Sequence, residues 1–165
     1  MTDPSPTPDA AHFAAWADFV LAYTRIMRTV ERALKAEQSI SWAQYDLLYN
    51  LGTAPGHTLS VTAVSRTLLY SSGSASNLVS SMVKAGLVER QPSPDDRRSN
   101  LIRPTPHGES TFTASTRLVL EVVQREFAGH LADSELGPVA AFLARLRAQD
   151  AQLRHPPYDL PVDLG

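Results

Sequence analysis

In the N-terminal part of the chain, apolar residues recur at alternating intervals of three and four: Phe13, Trp16, Val20, Tyr23, Met27, Val30 and Leu34. That spacing keeps one face of a 3.6-residue helix apolar and predicts a single long helix from about Ala10 to Glu37. The stripe suits packing within the chain or a seam against a second copy, and the two uses are compatible. Ser41 with Gln44 three residues later forms a capping box, because hydroxyl and amide can each satisfy an unpaired backbone N–H. A second helix therefore runs from there to about Leu51, before Gly52, Pro55 and Gly56 break it.

Two short helical segments follow, about Val61 to Leu68 and Ser72 to Ala85, and Gly86 stands where a C-terminal cap wants a positive φ. In the second segment Ala75, Leu78, Met82 and Val83 share one face, while Ser72, Ser76, Asn77 and Ser80 fall mainly on the other. An outer face that is small, polar and hydrogen-bonding suits base edges in a major groove better than it suits a core. Leu87 to Arg90 and Asn100 to Arg103 read as strands, and Pro92 to Ser99 between them as the charged tip of a hairpin.

Thr105 then supplies an N-cap and Pro106 the first position of another helix. Phe112, Val119, Val123, Phe127 and Leu131 make that helix long and one-faced. Asp133 or Ser134 caps a last helix with Leu136, Val139, Leu143 and Leu146 on its stripe, and from Gln149 the chain turns polar and proline-rich. The expected fold is mainly α, an α+β winged helix-turn-helix at residues 57–108 between terminal helices. The divisions are a leader at 1–9, helical pairing segments at 10–40 and 105–149, a head at 41–104 and a Pro-rich tail at 150–165.

Charge sharpens this picture. The whole chain carries a formal charge of −2. Ser60 to Arg103 holds Arg66, Lys84, Arg90, Arg97, Arg98 and Arg103 against Glu89, Asp95 and Asp96, six basic minus three acidic residues, or +3. The remainder is therefore at −5, and only the middle is suited to a polyanion. With no cysteine, disulfides, thiolate metal sites and cysteine redox switches are excluded. The start lacks a signal peptide's basic and apolar runs, no apolar stretch is long enough to cross a bilayer, and a cytoplasmic protein is expected.

Leu78-Val79-Ser80-Ser81-Met82-Val83-Lys84-Ala85-Gly86-Leu87-Val88-Glu89-Arg90, then Pro94-Asp95-Asp96-Arg97-Arg98, then Thr105-Pro106-His107-Gly108 resemble the MarR family of bacterial transcriptional regulators over roughly Ser41 to Arg147. The resemblance implies a homodimer on double-stranded DNA, with the first and the last two helices of both chains interlocked. Each subunit would place a recognition helix in a major groove and a wing in a neighbouring minor groove. It implies DNA contacts from Arg66, Ser71, Ser72, Ser74, Ser76, Asn77, Lys84, Asp95, Arg97 and Arg98, with Arg97 in the minor groove and Asp95 holding it. A guanidinium suits the negative potential of a narrow A·T-rich groove. Taken alone, the same charges also fit a solvated turn. The resemblance further implies a small aromatic or lipophilic effector, without naming its pocket.

The chain departs from the family at three points: Ser72 and Asn77 leave Lys84 as the recognition helix's sole cation, Leu69 replaces a usual turn glycine, and Pro104 replaces a usual leucine. Pro104 is expected to end the wing strand early, since it removes a ladder donor.

Other chemistries find little support. Ser81-Met82-Val83-Lys84 fits the S-x-x-K pattern of serine acyl enzymes but has no S-D-N or K-T-G partner. The five histidines form no i, i+4 pair, and there is no glycine-rich phosphate loop or G-x-S-x-G elbow. No catalytic residue, metal or cofactor is expected. Pro156-Pro157-Tyr158 lacks the spacer of a P-P-x-Y docking peptide. The acidic total and weakly basic recognition helix leave one competing use of the same fold, a protein-interaction module.

Overall fold

The computed structural model describes residues 9–92 and 100–148. The long helix α1 spans Ala10–Gln38. Asp9 caps it by accepting the His12 backbone N–H at 2.9 Å, and Ser39 closes it in the left-handed region at φ 58°. Its apolar stripe divides in two: Val30 and Leu34 are buried, whereas Phe13, Trp16, Val20 and Tyr23 are exposed.

Helix α2, Trp42–Thr53, carries the expected capping box, with Ser41 Oγ accepting from the Gln44 N–H and Gln44 Oε1 accepting from the Ser41 N–H. A further unpaired N–H at this helix start, that of Trp42, donates to Glu31 Oε2 of α1 at 2.6 Å. The Lys35 ammonium lies 3.0 Å from the other carboxylate oxygen. Burial alone would raise the Glu31 carboxyl, but the Trp42 N–H and Lys35 together hold it below the usual carboxylate range. α2 buries Tyr45, Leu47, Leu48, Tyr49 and Leu51, so it is the central helix of the core.

A 3-10 turn at Pro55–His57 leads to a two-residue strand β1, Leu59–Ser60, which the sequence pattern did not suggest. β1 and β2, Val88–Pro92, flank β3, Asn100–Pro104, in an antiparallel sheet of order β1-β3-β2. Pro104 does not shorten the wing strand. It is the last β3 residue, opposite Val88, where its missing N–H costs little. Leu87 stands just outside β2, because its N–H closes the preceding helix instead.

Helices α3, Val61–Thr67, and α4, Ser72–Lys84, form the helix-turn-helix. Ala75, Val79 and Met82 are the buried face of α4; Val83, expected there, is 39% exposed. The real stripe follows steps of four and three from Ala75, and Val83 lies one position off it.

Helix α5, Pro106–Glu126, begins at Thr105 as expected but ends before the expected limit near Leu131. Its inward residues are Phe112, Ser115, Thr116 and Val122, so the phase moves from the Val119–Val123–Phe127 series to Val119–Val122. Phe127 leaves the helix at φ −132° and ψ −66°, and a 3-10 turn, Ala128–His130, follows. Helix α6, Asp133–Ala148, has no buried residue. Its start is closed by Glu135, whose carboxylate accepts the Ala132 N–H at 2.9 Å, so Asp133 lies within the first turn rather than capping it.

The core lies where α2 crosses α5. Trp42 and Tyr45, Tyr45 and Phe112, and Tyr49 and Phe112 have ring centroids 5.3, 5.6 and 6.4 Å apart. Such pairs favour one crossing by about 1 kcal/mol each beyond simple burial. Among the described residues no helix is long and apolar enough to cross a membrane.

Candidate nucleic-acid interface

The recognition helix is built by its ends. Ser71 caps α4, its hydroxyl accepting from the Ser74 N–H at 3.1 Å while lying 2.9 Å from Ser74 Oγ. At the other end Gly86 N–H donates to the Val83 carbonyl and Leu87 N–H to that of Met82, with Gly86 at φ 70°. This pair of bonds is a Schellman closure, which needs a left-handed residue at that point.

Between its caps α4 presents Ser72, Ser76, Asn77, Ser80 and Lys84, all exposed, with Asn77, Ser80 and Lys84 opposite Ala75, Val79 and Met82 and with Ser72 and Ser76 flanking that buried face. A 13-residue helix is about 20 Å long, enough to lie along a major groove. Of the expected contact residues, Ser72, Ser76, Asn77 and Lys84 share this exposed arc. Ser71 and Ser74 stand at its N-terminal end with their hydroxyls already engaged in the cap. Arg66, on the last turn of α3, is exposed and forms no ion pair among the described residues. Asp95, Arg97 and Arg98 lie outside the described residues.

Two other arginines of the head have local partners. Arg90 on β2 donates from Nη2 to Ser80 Oγ at 3.2 Å, tying the base of the wing to the middle of α4. Arg103 on β3 faces Glu89 across the ladder, with Nε and Oε1 3.5 Å apart, so its charge is partly offset. Ser81, of the S-x-x-K pattern, donates its hydroxyl to the Leu78 carbonyl at 2.7 Å.

The helix-turn-helix turn itself is unusual. α3 ends in a second Schellman closure, with Leu69 N–H donating to the Arg66 carbonyl at 3.3 Å and Tyr70 N–H to that of Ser65 at 2.9 Å. The left-handed position falls on Leu69, at φ 54°. The leucine thus keeps the backbone shape that glycine would give, in a region where a β-carbon is crowded. Ser65 Oγ donates to the Tyr70 carbonyl at 2.7 Å and completes the turn. Only the glycine exchange at 69 pointed here in the sequence; the part played by Ser65 had no sequence signal.

Head and helix α5 meet at Leu87. Its carbonyl accepts the Thr105 N–H at 3.1 Å, while Thr105 Oγ1 donates to the Gly86 carbonyl and accepts the Gly108 N–H at 3.0 Å. A β-carbon on Gly108 would lie 1.9 Å from Leu87 O, so only glycine admits this approach. Beside this contact, a cavity of about 180 Å³ between α2 and α5 is lined by Leu48, Gly52, His57, Glu109 and Phe112 among others. A second, wholly apolar groove of about 230 Å³ lies between α1 and α5, against Phe19, Tyr23, Ile26, Val123 and Phe127. Arg25 of α1 and Arg125 both reach Glu126 beside it, at 2.6 and 2.9 Å.

Comparison with known proteins agrees with this geometry. A profile of the MarR family matches residues 38–99. A candidate transcriptional regulatory protein for the hcr operon of Thauera aromatica is 28% identical over 125 residues, spanning 76% of this chain and 74% of that protein. AbsC, a MarR family regulator of Streptomyces coelicolor, superposes with a TM-score of 0.79 at 21% identity, covering 88% of this chain and 97% of its own. Sco3205 of the same organism, solved in complex with DNA, gives 0.76 at 20% identity over 91% of this chain and 96% of that one. A mutant MarR of E. coli complexed with operator DNA gives 0.71 at 19%, over 84% and 99%. The chain thus carries a match to the MarR family's profile over its helix-turn-helix and shares the fold of these solved regulators over most of its length.

Proposed function

We propose that the chain is a DNA-binding transcriptional regulator that acts as a homodimer on a pseudo-palindromic operator and represses until a small aromatic or lipophilic molecule binds. The observation that carries the DNA-binding part is the exposed arc of Ser72, Ser76, Asn77, Ser80 and Lys84 on a helix fixed at both ends and tied to the wing by Arg90. Serine and asparagine hydrogen-bond to base edges, whereas phosphate attraction falls to Arg66, Lys84 and the wing residues Arg97 and Arg98. The DNA complexes of Sco3205 and E. coli MarR, which share this fold, support the reading.

A dimer is supported by the apolar surface that α1 and α6 leave open: Phe13, Trp16 and Tyr23 on one, Leu136, Phe142 and Leu146 on the other. A monomeric protein rarely leaves so much large apolar surface uncovered. Two heads held one helical turn apart would read half-sites about 10 base pairs apart. The cavity between α2 and α5 supports the ligand response. It lies beside the Leu87–Gly108 contact, so a molecule wedged there favours a different tilt of the head on α5 and alters half-site spacing.

The experiment is salt-dependent binding to duplexes from the region upstream of the gene encoding this chain. Arg97→Ala is expected to weaken binding to all sequences and to lower the dependence of log K on log salt by about one ion. Exchanging Ser76 or Asn77 is expected to change sequence preference instead. Arg97→Ala binding like wild type at every salt concentration refutes the wing assignment. Absence of any specific duplex, with recovery of a protein partner, favours an interaction module.

A further inference from the structure

The cations of the reading head are unevenly placed. On α4 the single one, Lys84, stands at the C-terminal end, and the exposed N-terminal half carries only Ser72, Gly73, Ser74, Ser76 and Asn77. A helix lying in a groove is held at both ends by contacts to the phosphate ridges that border it. At the N-terminal end of α4 the residue set just outside the helix is Tyr70, immediately before the cap Ser71.

The structure fixes Tyr70 more firmly than an ordinary turn residue. Its N–H donates to the Ser65 carbonyl and its carbonyl accepts from the Ser65 hydroxyl, so both backbone polar groups are bound to one residue of α3. The preceding Leu69 is held in the left-handed region to achieve this. Backbone held in an unfavourable region marks a place where position matters. The side chain so held is 36% exposed, and its hydroxyl makes no hydrogen bond among the described residues. An exposed tyrosine on a fixed backbone, with its hydroxyl not engaged within the described residues, is suited to a wet, polar partner.

We propose that Tyr70 is a phosphate-anchoring residue, whose phenol O–H donates to a DNA backbone oxygen at the edge of each half-site. The inference rests on the head being a DNA binder and adds to it a contact made without charge. Phosphate rather than a base edge is its partner because Tyr70 precedes the helix that enters the groove and its backbone cannot advance while bound to Ser65. Arg66, four residues before it in the last turn of α3 and exposed, supplies charge near the same turn.

The test compares wild type with Tyr70→Phe and Arg66→Gln in the full chain, on an upstream duplex it binds and on mismatched duplexes. Tyr70→Phe is expected to weaken binding about tenfold on all of them, because a lost hydrogen bond to a charged group carries no sequence information. The salt slope should stay at the wild-type value, since a neutral hydroxyl releases no counterion, while Arg66→Gln should lower it. The melting temperature of Tyr70→Phe should match wild type. In a series of duplexes carrying one neutral methylphosphonate each, one position per half-site should weaken wild type and leave Tyr70→Phe unaffected.

Tyr70→Phe binding as tightly as wild type overturns the inference. So does a loss confined to one base-pair identity, or a methylphosphonate series in which the two proteins respond alike at every position. A wild type that binds no duplex overturns the DNA-binding reading and this inference together, whereas a binding wild type with an indifferent Tyr70→Phe overturns this inference alone.

Discussion

Leu69 and Gly108 show how differently one residue position can constrain the chain. Leu69 is half exposed, and its left-handed backbone costs a β-carbon residue about 1 kcal/mol or more. Leu69→Gly removes that strain at the expense of a floppier unfolded chain, and a net gain of about 0.5–1 kcal/mol is expected. Differential scanning calorimetry checks it, and an unchanged or lower melting temperature contradicts the strain. Gly108→Ala has the opposite sign. Its β-carbon meets the Leu87 carbonyl, backbone that cannot rotate away, so a loss of about 3 kcal/mol or more is expected in denaturant titration. Chain order revealed Gly108 as part of a motif but not why glycine is required, because Leu87 is distant in sequence. The exchange at Leu69 was visible, yet whether the turn would change or the leucine would submit depended on bonds from Ser65 and Arg66 that no local pattern announces.

At the scale of elements, the start of α2 is held by two devices of different legibility. The Ser41–Gln44 box is local and could be read directly. Glu31 is eleven residues away and reaches the Trp42 N–H only because α1 and α2 pack side by side. Its carboxyl is held below the ordinary range, so the folded state favours the ionised form. The stabilisation it brings is present above the ordinary carboxylate value and is lost as pH falls through the lowered one. Between about pH 5 and pH 3 wild type is therefore expected to lose more stability than Glu31→Gln. Urea midpoints across that range check the sign, and parallel pH dependences refute it. The ends of α5 repeat the contrast. Thr105 and Pro106 marked its start, whereas its end at Glu126 was overrun because the Val123–Phe127 spacing continues a helical stripe that the backbone abandons. That stripe faces the groove beside α1 rather than the core, so an uncovered surface imitated a buried one.

For the whole molecule, the order of helices and hairpin was legible from periodicity and caps, while the partition of α1 into a covered and an uncovered half was not. A stripe looks the same in sequence whether its own chain or another covers it. Phe142→Asp on α6 is expected to shift the proposed dimer toward monomer in sedimentation velocity and to abolish tight operator binding, while leaving the helical circular dichroism spectrum largely intact. A variant that still sediments as a dimer places the interface elsewhere. The contact at Leu87 bears on how such molecules can be recombined. Its carbonyl serves Thr105, and the space in front of it excludes any side chain at 108, so the last residues of the head and the first turn of α5 form one interlocked piece. A reading head exchanged between relatives should therefore travel with its own Thr105-to-Gly108 segment. Spliced at Pro104, a foreign head would inherit a socket cut for another key, and its recognition helix would point along the donor's axis only by accident.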